Sequence, residues 1–388
     1  MVGKKIGVIG AGKLGLSFAL LCEHNGITVW ASDINKDYIE SLKDKTFKSV
    51  EPYIQEYLHE SNNLHPTTDN FDVIRNTDII FTFVPTPSVF PGGYDHKYVD
   101  EVVESIVQST KEGVDVSGKT LVIGCTTNPG YSQTVEEKLK PYGVSVCYNP
   151  EFIAQGNIIS GLRFSDFILL GASNKETFRN VREIYYSITT EPTFKEMSLT
   201  AAEITKISVN CFLTTKISFA NMIGEVCHNS NISDEVSTVL DAIGEDSRIG
   251  KKFLNYGFGF GGPCLPRDNR ALSVYAESVG LDLTLPKAVD EFNIEHHKYL
   301  VNKFVMENPN RNTTFVFNSV TYKKGTDQLT ESQQLNLLLS LLAEGYSCIV
   351  IDIDEVIEKL EGPLTKTYGE KIKFQPIGTM AEGVKIIL

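Results

Sequence analysis

The sequence predicts an α/β protein in three blocks: a parallel sheet covered by helices, then one long helix, then a second and smaller α/β block. Three observations carry this. Short apolar runs alternate with helix-like stretches as far as about residue 190. The segment from Ser198 to about Ser230 has no proline and no glycine before Gly224. Apolar runs flanking a helical stretch return after Asn312.

Taken in order, Ile6–Ile9 reads as a buried strand, Gly10-Ala-Gly-Lys-Leu-Gly15 as a turn, and the apolar pattern through about Asn25 as a helix. A second strand, Ile27–Ser32, ends on Asp33. Further buried strands are expected at Asp78–Val84, Lys119–Cys125, Val144–Tyr148 and Phe167–Gly171, with helices at Tyr98–Glu112 and Tyr131–Tyr142. This alternation implies a parallel sheet with both faces covered. The long helix opens on Thr200-Ala-Ala-Glu203, which has the form of a capping box. Apolar residues fall nearly all round it (Ile204, Ile207, Val209, Phe212, Ile217, Phe219, Met222, Val226), so burial between domains or between subunits is expected. Shorter helices follow near 234–245, 267–280 and 286–308. The last block holds strands Thr313–Val320 and Cys348–Ile351, a helix near Glu331–Ala343, and a strand at Val384–Ile387.

The chain has 388 residues, 41% hydrophobic and 22% charged, as expected of a globular protein with two or three domains. A net charge of −13 argues against a nucleic-acid surface or an anionic membrane as partner, so an anionic ligand needs a local basic pocket. Seven cysteines with no C-x-x-C pair fit neither a disulfide framework nor a zinc site, and point to a reducing cytoplasm with no metal. The N-terminus enters a strand pattern directly, and no apolar run approaches the ~18 residues of a membrane span.

A glycine turn between the first strand and helix lets backbone N–H groups meet a pyrophosphate, and an acid ending the second strand can accept from a ribose diol. Gly10, Gly12 and Gly15, with Lys13 and Leu14 between them and Asp33 eighteen residues after Gly15, therefore favour NAD over NADP. Val84-Pro-Thr86-Pro-Ser88 follows another strand end at the same sheet edge, although it reads equally as a rigid turn.

The chemically loaded stretch is Tyr256-Gly-Phe-Gly-Phe-Gly-Gly-Pro-Cys264-Leu-Pro-Arg-Asp268. Glycines let this backbone approach a ligand, prolines stiffen it, and one cysteine stands in its midst. Alone, such a cysteine is more often a buried turn residue. Lys206 and Asn210, spaced i, i+4, share one helix face and could stabilise an oxyanion, or could simply be solvated. Cys125-Thr-Thr-Asn-Pro-Gly130 and Asn149-Pro-Glu-Phe-Ile-Ala-Gln-Gly156 each follow a predicted strand, where parallel sheets carry ligands. The set as a whole decides: a nicotinamide site, a thiol loop, a helix lysine and a loop carboxylate in one chain.

These residues in this order resemble the UDP-glucose/GDP-mannose dehydrogenase family, from Lys4 to about Ser332. The resemblance is carried by F-G-G-x-C-L-P-[KR]-D at Phe260–Asp268, N-P-E-F at Asn149–Phe152, K-x-x-x-N at Lys206 and Asn210 with K-I-S-F at Lys216–Phe219, and D-x-R-I-G at Asp246–Gly250. It implies an NAD-binding Rossmann domain (1–196), a central all-helical dimerisation region with the long helix and the cysteine loop (197–308), and a smaller Rossmann-like nucleotide-sugar domain (309–388). It also implies oxidation of a sugar C6 alcohol to a carboxylate with two NAD consumed, through a cysteine thiohemiacetal and thioester. UDP-glucose is the expected substrate, because Asn210–Phe219 resembles the glucose branch. GDP-mannose or a UDP-N-acetylhexosamine is the alternative, and a single-oxidation β-hydroxyacid dehydrogenase a more distant one.

The same resemblance implies roles. Cys264 is the nucleophile, Lys206 and Asn210 hold the reacting oxygen, Asp268 and Thr126 position water, and Glu151 is the base. Thr86, Thr126, Gln155 and Arg267 join the glycine turn at the cofactor. Glu151, Phe152, Ile153, Arg248 (from a partner subunit), Phe253, Asn255, Tyr256, Gly261, Tyr322 and Lys323 meet the substrate. Two positions depart from the family pattern. Gln155 stands where a second glutamate is common and cannot act as a base, and Thr330 stands where an arginine would clamp a phosphate.

Overall fold

A computed structural model describes residues 5–153 and 156–386. The chain divides into two compact units, residues 1–207 and 208–388. The long helix, Leu199–Asn229, supplies residues to both.

The first unit is built on an eight-stranded sheet. Its strands are β1 (Lys5–Ile9), β2 (Thr28–Ser32), β3 (Leu64–Thr67), β4 (Ile79–Thr82), β5 (Thr120–Ile123), β6 (Ser145–Tyr148), β7 (Ile168–Ala172) and β8 (Phe194–Met197). They lie in the order β3-β2-β1-β4-β5-β6-β7-β8. Alternate residues of each strand serve opposite cores. Ile6, Val8, Phe81, Val122 and Leu170 pack on one face, whereas Ile9, Ile80, Leu121, Ile123 and Leu169 pack on the other.

All neighbouring strands are parallel except β6 and β7, where Cys147 faces Ala172 in an antiparallel pair. The sheet is thus parallel, as expected, with one antiparallel step. Among the described residues between these two strands, the helix is Ile158–Arg163, six residues and so about 9 Å long, which is short for carrying the chain back along the sheet. The edge strands β3 and β8 were not anticipated from sequence. Leu-His-Pro-Thr and Phe-Lys-Glu-Met are no apolar runs, and a proline is tolerated at an edge.

The second unit contains helices Val236–Glu245, Leu265–Ser278 and Thr284–Glu307. It also contains a four-stranded parallel sheet in the order β11-β10-β9-β12, formed by β9 (Thr314–Phe317), β10 (Ser347–Asp352), β11 (Ile372–Pro376) and β12 (Val384–Lys385). Phe315, Phe317, Leu337, Leu341, Tyr346 and Val350 form its core.

The capping-box expectation is corrected. The helix begins at Leu199, so Thr200 is already inside it, and Glu203 turns to the loop after β5 instead. The buried face of the helix includes Ala202, Ile207, Cys211, Ala220 and Cys227. Phe212, Phe219, Met222 and Val226 are exposed by 65%, 41%, 42% and 56%, which leaves an apolar stripe uncovered in the single chain. Among the described residues no helix is long and apolar enough to cross a membrane.

Candidate active site

In the first unit, neighbouring parallel strands release their loops at one sheet edge. Ile9, Thr82, Ile123 and Tyr148 are in register across β1-β4-β5-β6. The segments that follow, at Gly10, Phe83, Gly124 and Asn149, are therefore neighbours. Each of the last three donates its N–H to the carbonyl ending the previous strand, at 2.9 Å.

The glycine turn is shaped for a bulky anion. Gly10 and Ala11 both donate to the Ser32 carbonyl at 2.9 Å, which ties the turn to the end of β2. A Cβ on Gly15 would lie 2.1 Å from the Gly10 carbonyl, so only glycine lets helix and strand approach this closely. At Gly12, by contrast, no heavy atom lies within 4 Å of a Cβ position, and the residue caps helix Lys13–His24. That space faces a helix N-terminus, where a pyrophosphate is favoured. Asp33 follows β2 with its carboxylate accepting from Asn35 N (3.0 Å), and Tyr38 donates to the Ala11 carbonyl (2.7 Å). The Tyr38 hydroxyl is held well above its ordinary pKa, by burial first and by Asp33 second. These residues fit NAD: an open glycine at a helix start and an acid for the ribose. Lys13 is exposed and Leu14 half-buried in the first helical turn, and Thr86 is buried after β4.

A carboxylate pocket lies three strands along the same edge, after β6. Glu151 is half-buried, and its Oε1 is 2.6 Å from the hydroxyl of Tyr185, a residue on helix Lys175–Ile188. Burial raises Glu151 from 4.5 to about 7, against the opposing pull of the Tyr185 hydrogen bond and the Lys206 charge. Lys206 donates to the Glu151 carbonyl at 2.8 Å, with its ammonium 4.5 Å from the centre of the Phe152 ring. Phe152 and Ile153 pack toward opposite faces of the sheet.

Thr126 is half-buried. The adjacent Thr127 hydroxyl donates to Glu203, which also accepts from Gly130 N and from the N and Oγ of Ser132, at 2.6–2.8 Å. Glu203 thereby fixes the loop that carries Thr126. Its own carboxyl is raised by burial, the four hydrogen bonds opposing the shift. Gln155 lies outside the described residues.

In the second unit, Cys264 is exposed and caps the N-terminus of helix Leu265–Ser278. An anionic sulfur there faces the positive end of the helix dipole. Asp268, only 1% exposed, sits one turn later. Its carboxylate accepts from Asn210 Nδ2 at 2.6 Å, and Arg267 Nε lies 3.6 Å away. Asn210 is one helical turn beyond Lys206 on the long helix.

The loop leading to Cys264 is pinned through its backbone. Asn221 accepts from Gly257 N (2.9 Å) and donates to the Phe258 carbonyl (3.2 Å). Asn293 accepts from Phe260 N (2.9 Å) and donates to the Phe260 carbonyl (3.0 Å). Buried His296 donates through Nε2 to the Gly257 carbonyl (2.8 Å), while its Nδ1 meets Glu225 at 2.6 Å. None of these residues was found from sequence. An asparagine or histidine on a helix gives no local signal of the loop it will hold.

Gly262, at φ +81°, lies under the Tyr322 ring, and burial and the nearby Cys264 both raise the Tyr322 hydroxyl. Gly261 packs against the Glu331 carbonyl, and Arg270 bridges Glu331 to Asp290. Tyr256 turns its ring between two helices, edge-on to His228 and His296. Arg248 is exposed and paired with Asp246, while Lys216 holds the same turn through the Ile249 and Gly250 carbonyls (both 3.1 Å). Phe253, at φ +63°, Asn255 and Lys323 are exposed.

Residues 4–189 match the NAD-binding domain of the UDP-glucose/GDP-mannose dehydrogenase family, and residues 200–295 match its central domain. The chain belongs to this family. It is 30% identical over 341 residues to UDP-glucose 6-dehydrogenase of Rickettsia conorii, covering 86% of this chain and 77% of that one. It is 31% identical over 346 residues to UDP-glucose 6-dehydrogenase TuaD of Bacillus subtilis, covering 86% and 73%. Among solved structures, a UDP-glucose dehydrogenase from Pyrobaculum islandicum superposes with a TM-score of 0.85 at 25% identity, over 96% of this chain and 86% of that one. The family member is thus an NAD-dependent nucleotide-sugar dehydrogenase with an α/β fold.

Proposed function

We propose that this protein is a UDP-glucose 6-dehydrogenase, oxidising the C6 alcohol of UDP-glucose to the carboxylate of UDP-glucuronate. The observation that carries the reading is the exposed thiol of Cys264 at a helix start, one turn before the buried Asp268–Asn210 pair. NAD held at the glycine turn of Gly10, Gly12 and Gly15 and by Asp33 would supply the acceptor for each of the two hydrides lost from C6. Lys206 and Asn210 hold the C6 oxygen, offering an ammonium and an amide to the charge that develops on it. Cys264 adds through sulfur to the aldehyde carbon and keeps it bound for the second oxidation, which leaves a thioester. Glu151 then takes a proton from water positioned by Asp268 and Thr126, and hydrolysis frees the thiol. A carboxyl raised to about 7 suits that exchange.

Gly10, Gly12, Gly15, Asp33, Thr86 and Arg267 serve the cofactor. Phe152, Ile153, Phe253, Asn255, Tyr256, Gly261, Tyr322 and Lys323 serve the nucleotide sugar, with Arg248 reaching it from a second subunit. We assign the domains as 1–196, 197–308 and 309–388. The apolar stripe of Phe212, Phe219, Met222 and Val226 supports a homodimer through the long helix. Seven free cysteines support a reducing, cytoplasmic setting.

Stoichiometry tests the reading. Two NADH per UDP-glucose, with UDP-glucuronate as product, is the expected result. One NADH with an aldehyde product would remove the covalent route, and turnover only with GDP-mannose or a UDP-N-acetylhexosamine would move the substrate.

A further inference from the structure

The hydroxyl of Tyr185 stands 2.6 Å from Asn149 Oδ1 and 2.6 Å from Glu151 Oε1. A phenol has one hydrogen to donate, so it can satisfy only one of two acceptors. The orientation of Asn149 is fixed independently. Its Nδ2 donates at 3.1 Å to the Leu169 carbonyl, which can only accept, so Oδ1 must face the tyrosine. Both short contacts are hydrogen bonds when the Glu151 carboxyl carries a proton: Glu151 donates to Tyr185 Oη, and Tyr185 donates to Asn149. When Glu151 is ionised, the carboxylate claims the phenolic hydrogen and Asn149 Oδ1 is left facing an oxygen lone pair.

We propose that Tyr185 and Asn149 are positioning residues that form a two-link hydrogen-bond switch, holding Glu151 in either protonation state during proton exchange. Asn149 favours the neutral acid by drawing the phenolic hydrogen away, and Tyr185 favours the carboxylate by donating to it. Among the described residues, the other titratable groups facing the carboxyl are Lys206 on the long helix, which favours the carboxylate, and Cys22 on helix Lys13–His24, which is itself buried and raised. Burial of the carboxyl lifts it toward the neutral acid in the same sense as Asn149. A proton taken from water thus stays on Glu151 and is donated to Tyr185 Oη, while the phenolic hydrogen rotates to Asn149. The negative charge passes from the carboxylate to the attacking oxygen, while Tyr185 and Asn149 stay neutral. The catalytic use of this switch rests on the base role proposed above for Glu151, whereas the switch itself does not.

The test is infrared titration of the protonated-carboxyl C=O band of Glu151 in the full chain without substrate, the band being assigned by its loss in Glu151→Gln. Removing the phenolic donor in Tyr185→Phe moves the midpoint up by about one pH unit. Removing the competing acceptor in Asn149→Ala moves it down, since the phenolic hydrogen then belongs to Glu151 alone. Opposite shifts are what a structural role of either residue does not produce. An unmoved midpoint in Tyr185→Phe, or shifts of the same sign in both variants, overturns the switch. If UDP-glucose proves not to be the substrate, the infrared result stands unchanged. If the infrared shifts appear and the pH profile of kcat ignores them, the base role fails and the switch survives.

Discussion

Asn293 clasps both backbone polar groups of Phe260 with one side chain, accepting from its N–H at 2.9 Å and donating to its carbonyl at 3.0 Å. Phe260 is itself 2% exposed and lies four residues before Cys264, so the clasp fixes the thiol loop from within. Asn293→Ala leaves two buried groups unpartnered, a loss on the order of 2 kcal/mol. The expected outcome is a Tm lower by a few degrees and a KM for the nucleotide sugar raised more than kcat is lowered. An unchanged Tm and KM would mean that the loop is held elsewhere.

The second and third glycines of the cofactor turn separate binding from folding. Gly12→Ala puts a methyl into open space, so Tm holds while NAD affinity drops about tenfold or more. Gly15→Ala drives a methyl to 2.1 Å from the Gly10 carbonyl and should lower Tm as well. Thermal unfolding beside an NAD fluorescence titration distinguishes the pair, and equal Tm losses would contradict the open-cradle reading.

Alkylation sorts the cysteines by exposure and acidity. Cys264 is exposed and Cys125 half-buried, whereas Cys22, Cys147, Cys211, Cys227 and Cys348 are buried. Burial pushes the Cys211 and Cys348 thiols up to about 12, with Asp268 adding to the shift at Cys211. Iodoacetamide should therefore modify Cys264 first, with turnover lost in parallel and the proposed substrate UDP-glucose slowing the reaction. Peptide mass mapping that found a buried cysteine modified as fast would count against the exposed-thiol geometry.

Phe212, Phe219, Met222 and Val226 recur on one stripe of the long helix and stand exposed in the single chain. Replacing Phe212 and Phe219 together by glutamate puts two carboxylates into any interface formed there and costs little in a monomer. Sedimentation should show the wild type as a dimer and the double variant as a monomer. A wild-type monomer, or a variant that still dimerises, removes this stripe as the contact.

The cofactor turn, the thiol loop and the extent of the long helix were legible because each is a local pattern: glycine spacing after a strand, a cysteine among glycines, an uninterrupted helical run. Tyr185, Asn221, Asn293 and His296 were not, because their roles arise from contacts with segments far away in the chain. Glu203 was misread for the same reason. A Thr-x-x-Glu spacing looks like a local cap, yet its carboxylate accepts four hydrogen bonds from Thr127, Gly130 and Ser132, which offer it more than one N-terminal amide could. The loop placement of Glu151 was legible, whereas its raised pKa depends on what covers it.

That coverage has a consequence for stability. Burial raises Glu151 from 4.5 to about 7, so between those values the folded protein binds a proton that the unfolded chain has released. Stability contributed by this group is therefore greatest at low pH and declines as the pH climbs through that window. Glutamine at 151 keeps the neutral shape and cannot ionise, so the slope disappears in Glu151→Gln. Glu203 is also raised but is common to both proteins and cancels in the difference. Urea unfolding at about pH 5 and about pH 8 should show the variant gaining on the wild type as pH rises. A difference that stays flat across the window would mean that Glu151 is ionised throughout and that its pocket is wetter than the contacts with Tyr185 and Phe152 imply.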